Sequence, residues 1–357
     1  MSSAPTIEEV KDSLTQVCKT LDGKEWVLGN ATLSGKGYTE LGQELSSYCH
    51  LRYLDASNND LGSGETAGEL AAEEEAEAPA EDDGEAAPSG EDGAEAAAEE
   101  APPAPAHSLQ ALTGLTSVLA LNLSTNSILT FPKELKLPNL QIANVSKNRI
   151  TDIPFNAESA PSLMNLDISE NSLAAVEGMD GLSSLRTLKM NDNIAVSSLS
   201  GLGNLISLEK LDASKCDLQD LNGLEGLSRS FADLDVSGNK IALLGGLSSA
   251  SATLVGLKMI NLADNAIENL DELKILNKFS GLVNINLLGN PCAETEEFRT
   301  EVLLRVPFLK SLSGEDVTPE ERAAAKDLAK QRKEEAAAAA AAAAAEAAAE
   351  EEGDEDE

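Results

Sequence analysis

The sequence predicts an elongated α/β repeat solenoid, because one short pattern of aliphatic residues closed by asparagine recurs along most of its 357 residues. The pattern is L-x-x-L-x-L-x-x-N-x-L, which is typical of a leucine-rich repeat of about 20 to 29 residues. We expect ten such repeats, the first degenerate, stacked into a horseshoe or arc with a parallel sheet on its concave face. The closing residues, spaced 22 to 26 apart, are Asn126, Asn148, Asn171, Asn193, Cys216, Asn239, Asn265 and Asn290.

Each repeat is predicted to contribute one short strand whose alternate side chains point into the core. The asparagine that follows is assigned a structural role, because a buried amide both donates to and accepts from turn backbone groups that no sheet can satisfy. In the first, weaker repeats, Leu28, Ala31 and Leu33 are the predicted core residues before Lys36, and Leu51, Leu54 and Ala56 precede Asn59.

The N-terminal segment is predicted to form a capping helix over residues 1–24. Thr6 and Glu9 have the spacing of a capping box, in which each side chain bonds the backbone of the other. Apolar residues follow at helical spacing, at Ile7, Val10, Leu14, Val17 and Leu21. Such a helix would cover the core that the first repeat leaves open.

The repeat domain, residues 25–314, is interrupted by an acidic segment, 63–107. After Asn59 the next asparagine is due near residue 82, but the pattern resumes only at Val118. Fifteen acidic residues, no basic residue and several prolines lie between Glu65 and Ala106. The insert is therefore predicted to be disordered.

The C-terminal region, 315–357, is predicted to be a long Ala/Glu-rich helix with an acidic tail. It follows a cap formed by the apolar residues between Phe298 and Leu312. Thr318, Pro319 and Glu321 supply an N-cap, a proline at the first helical position and an acid at the third.

Composition restricts the function. A net charge of −36 disfavours nucleic acid and anionic membranes and favours Lys/Arg-rich protein partners. Neither a signal peptide nor a membrane span is expected, and four widely spaced cysteines indicate a reducing compartment inside the cell. The two histidines, His50 and His107, are not part of any nucleophile, metal or phosphate motif, so we expect neither catalysis nor a cofactor.

The outward strand positions are the candidate partner contacts on the concave face. They include one aromatic residue, Tyr53, of a type that often dominates binding energy. The other candidates are Asp55, Asp167, Lys189, Asp212, Asp235, Asn261 and Asn286. This polar face binds a broad partner through charge, binds a basic helix, or is simply solvated; the sequence does not decide among these.

Several segments outside the repeat consensus resemble the leucine-rich repeat-containing protein 23 family. They are VCKTLDGKEWVLGNATLSGKGYTEL, CHLRYLDASNNDL, LPNLQIANVSKNRITDIP, INLLGNPCAETEEFRTEVLLRVPFLKSL and PEERAAAKDLAKQRKEE. The resemblance implies a non-catalytic structural subunit of the radial spokes of motile cilia, associated with the third spoke and its head. It implies other axonemal spoke proteins as partners and a location in the cytoplasm, within the cytoskeleton of the ciliary axoneme. Family members carry acidic sequence outside the repeats, whereas here it separates the second repeat from the third.

Two other functions remain open from the sequence. One is a regulatory module that holds a protein phosphatase on the concave face, although the aromatic and acidic anchors typical of such regulators are sparse here. The other is an acidic histone-binding chaperone, since acidic leucine-rich proteins with that role exist.

Overall fold

The computed structural model describes residues 4–20, 24–65, 107–179, 181–295 and 297–353, with side chains described as far as residue 341. The chain divides into two compact units, Met1–Ser172 and Leu173–Glu357. Each unit is a stack of repeats, and each contains five of the predicted parallel strands.

The first unit starts with helix α1, Ile7–Ser13, and strand β1, which pairs antiparallel with β2. Strands β2 to β6 then pair in parallel, each with the next in chain order. Short 3-10 helices lie at Gln43–Ser47 and Gln110–Gly114. The strands are β1 Leu14–Lys19, β2 Trp26–Thr32, β3 Tyr53–Asp55, β4 Ala120–Asn122, β5 Ile142–Asn144 and β6 Asn165–Asp167.

The second unit continues with parallel strands β7 to β12, and β12 pairs antiparallel with β13. The strands are β7 Thr187–Lys189, β8 Lys210–Asp212, β9 Asp233–Asp235, β10 Met259–Asn261, β11 Asn284–Asn286, β12 Ser311–Leu312 and β13 Glu315–Asp316. The α-helices are α2 Leu247–Ala250, α3 Phe298–Arg305 and α4 Pro319–Gly353, and the 3-10 helices are Leu202–Asn204, Leu270–Lys278 and Pro291–Glu294.

The leucine-type core follows the predicted periodicity. In every strand from β2 to β11, the residue aligned with Leu54 of β3 points into the core. Its side chain is at most 2% exposed in each case, from Ala31 of β2 to Ile285 of β11. Burying a leucine or isoleucine at this position contributes about 1.5 to 3 kcal/mol. The regular repetition of this contribution stabilises the stack, so the predicted fold class is confirmed.

The repeating asparagines bond the turns of successive repeats together. Asn148 Oδ1 accepts the N–H of Ile128 at 3.1 Å, in the preceding repeat. Asn148 Nδ2 donates to the carbonyl of Leu123 in that repeat at 3.0 Å, and to Val145 and Ser146 in its own repeat at 2.9 and 3.1 Å. One amide therefore satisfies backbone groups of two repeats. The same arrangement recurs at Asn126, Asn171, Asn239 and Asn265.

The turn before each asparagine places one residue in the left-handed region. Thr125 has φ 58° and Lys147 has φ 57°, backbone conformations that residues other than glycine rarely adopt. Gly289 occupies the same turn position with φ 73°, which glycine adopts without strain because it has no Cβ. A Cβ at this position would lie 2.1 Å from Asp264 Oδ1. The turn geometry is therefore imposed by the stack rather than by local preference.

The N-terminal cap differs from the prediction. The capping box is present, since Thr6 N–H donates to Glu9 Oε2 at 2.8 Å and Glu9 N–H donates to Thr6 Oγ1 at 3.3 Å. The helix nevertheless ends at Ser13, and the next six residues form β1, so the single helix expected over 1–24 is wrong beyond that point. The physical reason is the open edge of β2, whose backbone N–H and C=O groups a paired strand satisfies and a helix cannot.

The repeat stack continues directly across the acidic insert. Leu54 of β3 aligns with Leu121 of β4, although 66 residues of chain separate the two. At the base of the insert, Glu65 Oε1 accepts the N–H of Ser108 at 2.9 Å. The disorder predicted for 63–107 concerns mainly residues 66–106, which lie outside the described residues.

The long C-terminal helix begins where the sequence predicts. Thr318 and Glu321 form its capping box, with bonds of 2.9 and 3.2 Å. Arg299 of α3 forms ion pairs with Glu321 and Glu315, and Arg332 of α4 forms an ion pair with Glu301 of α3. The hydrogen bonds from these arginines lower the pKa of Glu321 and of Glu301, so this contribution to stability is present at neutral pH and is lost as the pH falls through the lowered values.

The described helices include none that combines the length and the apolar character needed to cross a membrane. The 35-residue helix α4 is long but rich in charge and alanine.

Asn239→Ala should lower the free energy of unfolding by about 1 to 3 kcal/mol, because the N–H of Leu218 and three carbonyls lose their partner. Asn191→Ala is the matched control, since its amide only bonds the neighbouring Asp192 side chain. Urea unfolding followed by circular dichroism measures both. Equal losses for the two variants would contradict the structural role of the asparagine.

Candidate interaction surface

The outward strand positions form straight columns, because the parallel strands pair without any shift in register. In the first unit, Asp55 and Asp167 lie in one column together with Asn122 and Asn144, and Tyr53 lies in the neighbouring column. In the second unit the aligned candidates are Lys189, Asp212, Asp235, Asn261 and Asn286. Within each unit the structure therefore brings the predicted contact residues together on one face of the sheet.

Most of these candidates have a structural task that the sequence analysis missed. Asp212 Oδ1 accepts the N–H of Ser214 at 3.1 Å and its hydroxyl at 2.7 Å. The serine two residues after each acid is therefore part of a turn in which the carboxylate replaces a backbone acceptor. The signal was the repeated D/N-x-S spacing. The same pair of bonds occurs at Asp55, Asn122, Asn144, Asp167 and Asp235.

Neighbouring strands are also linked across the face. Asn122 Nδ2 donates to Asp55 Oδ1 at 3.1 Å, and Asn261 Nδ2 donates to Asp235 Oδ2 at 2.9 Å. Lys210 Nζ lies 2.9 Å from Asp233 Oδ2, and the hydrogen bond to that carboxylate raises the pKa of Lys210. The polar columns thus stabilise the sheet in addition to presenting charge.

The first unit carries an apolar group on the same face, of which the sequence analysis identified only Tyr53. Trp26 is 68% exposed and Val17 is 66% exposed, and the others are Leu28, Tyr53 and Ile142 at 43%, 36% and 48%. Leu28 was predicted to lie in the core, and that prediction is wrong. β2 has seven residues where most strands have three, so its N-terminal half extends beyond the central core position and places Trp26 and Leu28 outward.

The apolar group has two polar features, the ammonium group of Lys19 and the hydroxyl of Tyr53. Lys19 Nζ lies 5.2 Å from the centre of the Trp26 ring, within the range of a cation–π contact. Burial, and secondarily the negative charge of Asp55, raises the pKa of the Tyr53 hydroxyl. Tyr53 is therefore neutral at physiological pH and offers a ring and a hydrogen-bonding tip.

Residues able to bind a metal ion do not converge in the described part of the chain. No group of three His, Cys, Asp or Glu side chains there is placed to hold a metal ion. All four cysteines are free thiols, and burial raises the pKa of Cys216 to about 11. Cys216 replaces asparagine in the turn ladder, with its Sγ 3.5 Å from the carbonyl of Met190 and 3.7 Å from that of Ser214.

Asp212→Ala should lower the free energy of unfolding by about 1 kcal/mol, because the N–H and the hydroxyl of Ser214 lose their acceptor. Asp212→Asn should stay within about 0.5 kcal/mol of the parent, since Asn144 makes the same two bonds elsewhere in the stack. Denaturant unfolding of both variants provides the measurement. An alanine variant as stable as the parent would show that the turn does not need the side chain.

Thiol labelling of the native protein at pH 8 should modify Cys49, which is exposed, and should spare Cys216 and Cys292, which are buried with raised pKa values. The pKa of the Cys216 thiol is near 9 in the unfolded chain and about 11 in the folded protein. The contribution of this buried thiol to the stability of the fold is therefore full below pH 9 and is lost as the pH rises through about 11. Iodoacetamide labelling with peptide mass spectrometry, before and after unfolding in urea, gives the rates. Labelling of Cys216 at the rate of Cys49 in the folded protein would contradict this account.

Comparison with known proteins identifies both the repeats and the family. A leucine-rich repeat family model matches residues 207–342. Human leucine-rich repeat-containing protein 23 is 30% identical over 328 residues, covering 91% of this chain and 79% of its own length, and the bovine protein is 29% identical over 329 residues, covering 91% and 80%. Acidic leucine-rich nuclear phosphoprotein 32 family member A of Drosophila melanogaster is 31% identical over 131 residues, covering 36% of this chain and 49% of that protein. Since the match to the first two relatives spans most of each protein, this chain belongs to the leucine-rich repeat-containing protein 23 family.

Proposed function

We propose that this protein is a non-catalytic scaffold subunit of the radial spoke in the axoneme of motile cilia, in the third spoke or its head. The observation that carries the proposal is the family match, which extends over 91% of the chain rather than over the repeats alone. In this proposal the protein mediates contacts between other proteins that ciliary motility requires.

The geometry supports a scaffold. The turn asparagines and the aliphatic strand centres hold one repeat against the next, and the D/N-x-S pairs stabilise the turn within each repeat. The broad outward strand faces of the two units remain as the surfaces on which other proteins can lie. A partner of such a surface is recognised by shape and charge over many residues.

The partners that fit this scaffold are other spoke proteins with Lys/Arg-rich surfaces. The chain carries a net charge of −36, and the outward face of the second unit includes Asp212, Asp233 and Asp235. A field of this sign accelerates encounter with basic surfaces and opposes binding to nucleic acid or to an anionic membrane. With such partners, the location that we propose for the protein is the cytoplasm, on the ciliary cytoskeleton.

A second candidate function is binding of a basic nuclear protein such as a histone. It is favoured by the match to a protein described as acidic, leucine-rich and nuclear, which extends over 36% of this chain. The radial-spoke role ranks above it because the family match covers a much larger share of both proteins.

Fractionation of isolated cilia tests the radial-spoke role. After detergent removes the membrane, the protein should sediment with the axonemes and should be released together with spoke subunits when salt dissociates the spokes. A soluble matrix protein is the control for trapping. Release of the protein with the membrane-plus-matrix fraction would refute the role, and enrichment in nuclei with core histones would support the second candidate.

A further inference from the structure

The apolar group on the first unit spans five strands in two parts that are offset along the strands, and we term it the apolar stripe: Val17, Trp26, Leu28, Tyr53, Ala120 and Ile142. Val17 of β1 lies directly opposite Leu28 of β2. Tyr53, Ala120 and Ile142 share one register position on β3, β4 and β5. The residue of β2 at that position is Asn30, so Leu28, two residues before it, is the diagonal neighbour of Tyr53. All of them point away from the core, on the side opposite the buried Ala31, Leu54 and Leu121.

The composition of the stripe is that of a binding site. Trp26, the single tryptophan of the chain, is mostly exposed, and exposed tryptophan and tyrosine are the residues that most often dominate binding energy. Exposed apolar side chains scattered singly are ordinary, whereas a contiguous band of them marks an interaction surface.

The backbone under the stripe limits how a partner can bind. Strands β2, β3 and β4 each pair with a neighbour on both sides, so their backbone groups are already engaged. A partner therefore cannot dock on this face by adding a strand, and must instead contribute side chains.

An α-helix lying obliquely across the strands matches the spacing of the stripe, because the part on β1 and β2 is offset along the strands from the part on β3 to β5. Adjacent strands are about 4.8 Å apart, so β1 to β5 span about 20 Å. Apolar side chains on one face of a helix recur about every 5 to 6 Å along its axis, and about 13 residues of helix cover 20 Å. Such a helix sets roughly one apolar side chain against each strand.

The charges on either side of the stripe differ in sign. Lys19, the last residue of β1 and the partner of Trp26, and Arg52, which precedes β3, lie at the edge where the parallel strands begin, and the Arg52 guanidinium donates to the Lys19 carbonyl. Asp55 and Asp167 lie in the column at the carboxyl-terminal ends. A complementary helix carries Lys or Arg on the flank that faces these two acids and Asp or Glu on the flank that faces Lys19 and Arg52.

From this geometry we infer that the apolar stripe is the docking site for an amphipathic α-helix of another protein, about 13 residues long and oriented across β1 to β5 with its basic flank toward Asp55 and Asp167. The inference deepens the proposed function by naming the kind of partner that the scaffold holds. A lipid surface is disfavoured as the occupant, because the acidic flank and the net charge of −36 oppose anionic headgroups.

Photocrosslinking tests the occupant directly. The full chain, with p-benzoylphenylalanine in place of Trp26, is expressed in ciliated cells and irradiated before fractionation, and the crosslinked peptide is sequenced. The same substitution at Ile206, an exposed apolar residue of the second unit, is the matched control. The expected result is one crosslinked segment from position 26 with an apolar stripe at helical spacing and a basic flank, and no crosslink to that segment from position 206.

That segment, made as a peptide, is then titrated into the isolated full chain with Trp26 fluorescence as the readout. Binding should shift the emission to shorter wavelength and reduce quenching by acrylamide. Leu28→Glu should weaken binding at least about tenfold while leaving the unfolding midpoint unchanged, and Ile206→Glu should leave binding unchanged.

The inference is overturned by crosslinks to lipid, to a second copy of the chain or to a segment without helical amphipathicity, by the absence of any crosslink from position 26, or by full binding to Leu28→Glu. These outcomes are separate from the fractionation result. A chain that sediments with axonemes but fails the crosslinking test retains its proposed function, whereas a chain that passes the test but is absent from axonemes retains only the docking site.

Discussion

The structure depends on one constraint: every turn that closes a strand leaves backbone N–H and C=O groups beside a core of leucine-type side chains, and these groups must be satisfied away from water. The asparagine amide satisfies them for two repeats at once, as at Asn148 and Asn239. Because each amide bonds both its own repeat and the preceding one, it fixes the register of the stack as well as its stability. Cys216 fills the same position with a weaker donor, and its neighbours on the stack maintain the arrangement.

The same constraint explains the outward polar residues. An acid or amide at the end of a strand accepts from the serine two residues later, so Asp55, Asp167, Asp212 and Asp235 are each partly committed to their own turn. Their negative charge still faces outward and contributes to the field that basic partners meet. The polar face is therefore a structural ladder that also carries charge, and the apolar stripe on the first unit is the part that the fold itself does not require.

The ends of the array solve a different problem, since an end strand exposes unpaired backbone and an uncovered core. At the N-terminus, β1 pairs with β2 and α1 buries Val10 against the first repeats. At the C-terminus, the β12–β13 hairpin closes the sheet, and ion pairs of Arg299 and Arg332 join the first half of α4 to α3. Each end thus combines an antiparallel strand with a helix.

Much of this could be predicted from the sequence. The aliphatic period of the core, the asparagine turns, the capping boxes at Thr6 and Thr318, and the start of α4 at Pro319 are local patterns whose physical cause lies within one repeat or one helical turn. The end of α1 at Ser13, the outward position of Leu28 and the exposure of Trp26 were decided only by tertiary structure. Their cause is not local: the open edge of β2 draws residues 14–19 into a strand, and pairing with that strand determines which side of the sheet each neighbouring side chain occupies.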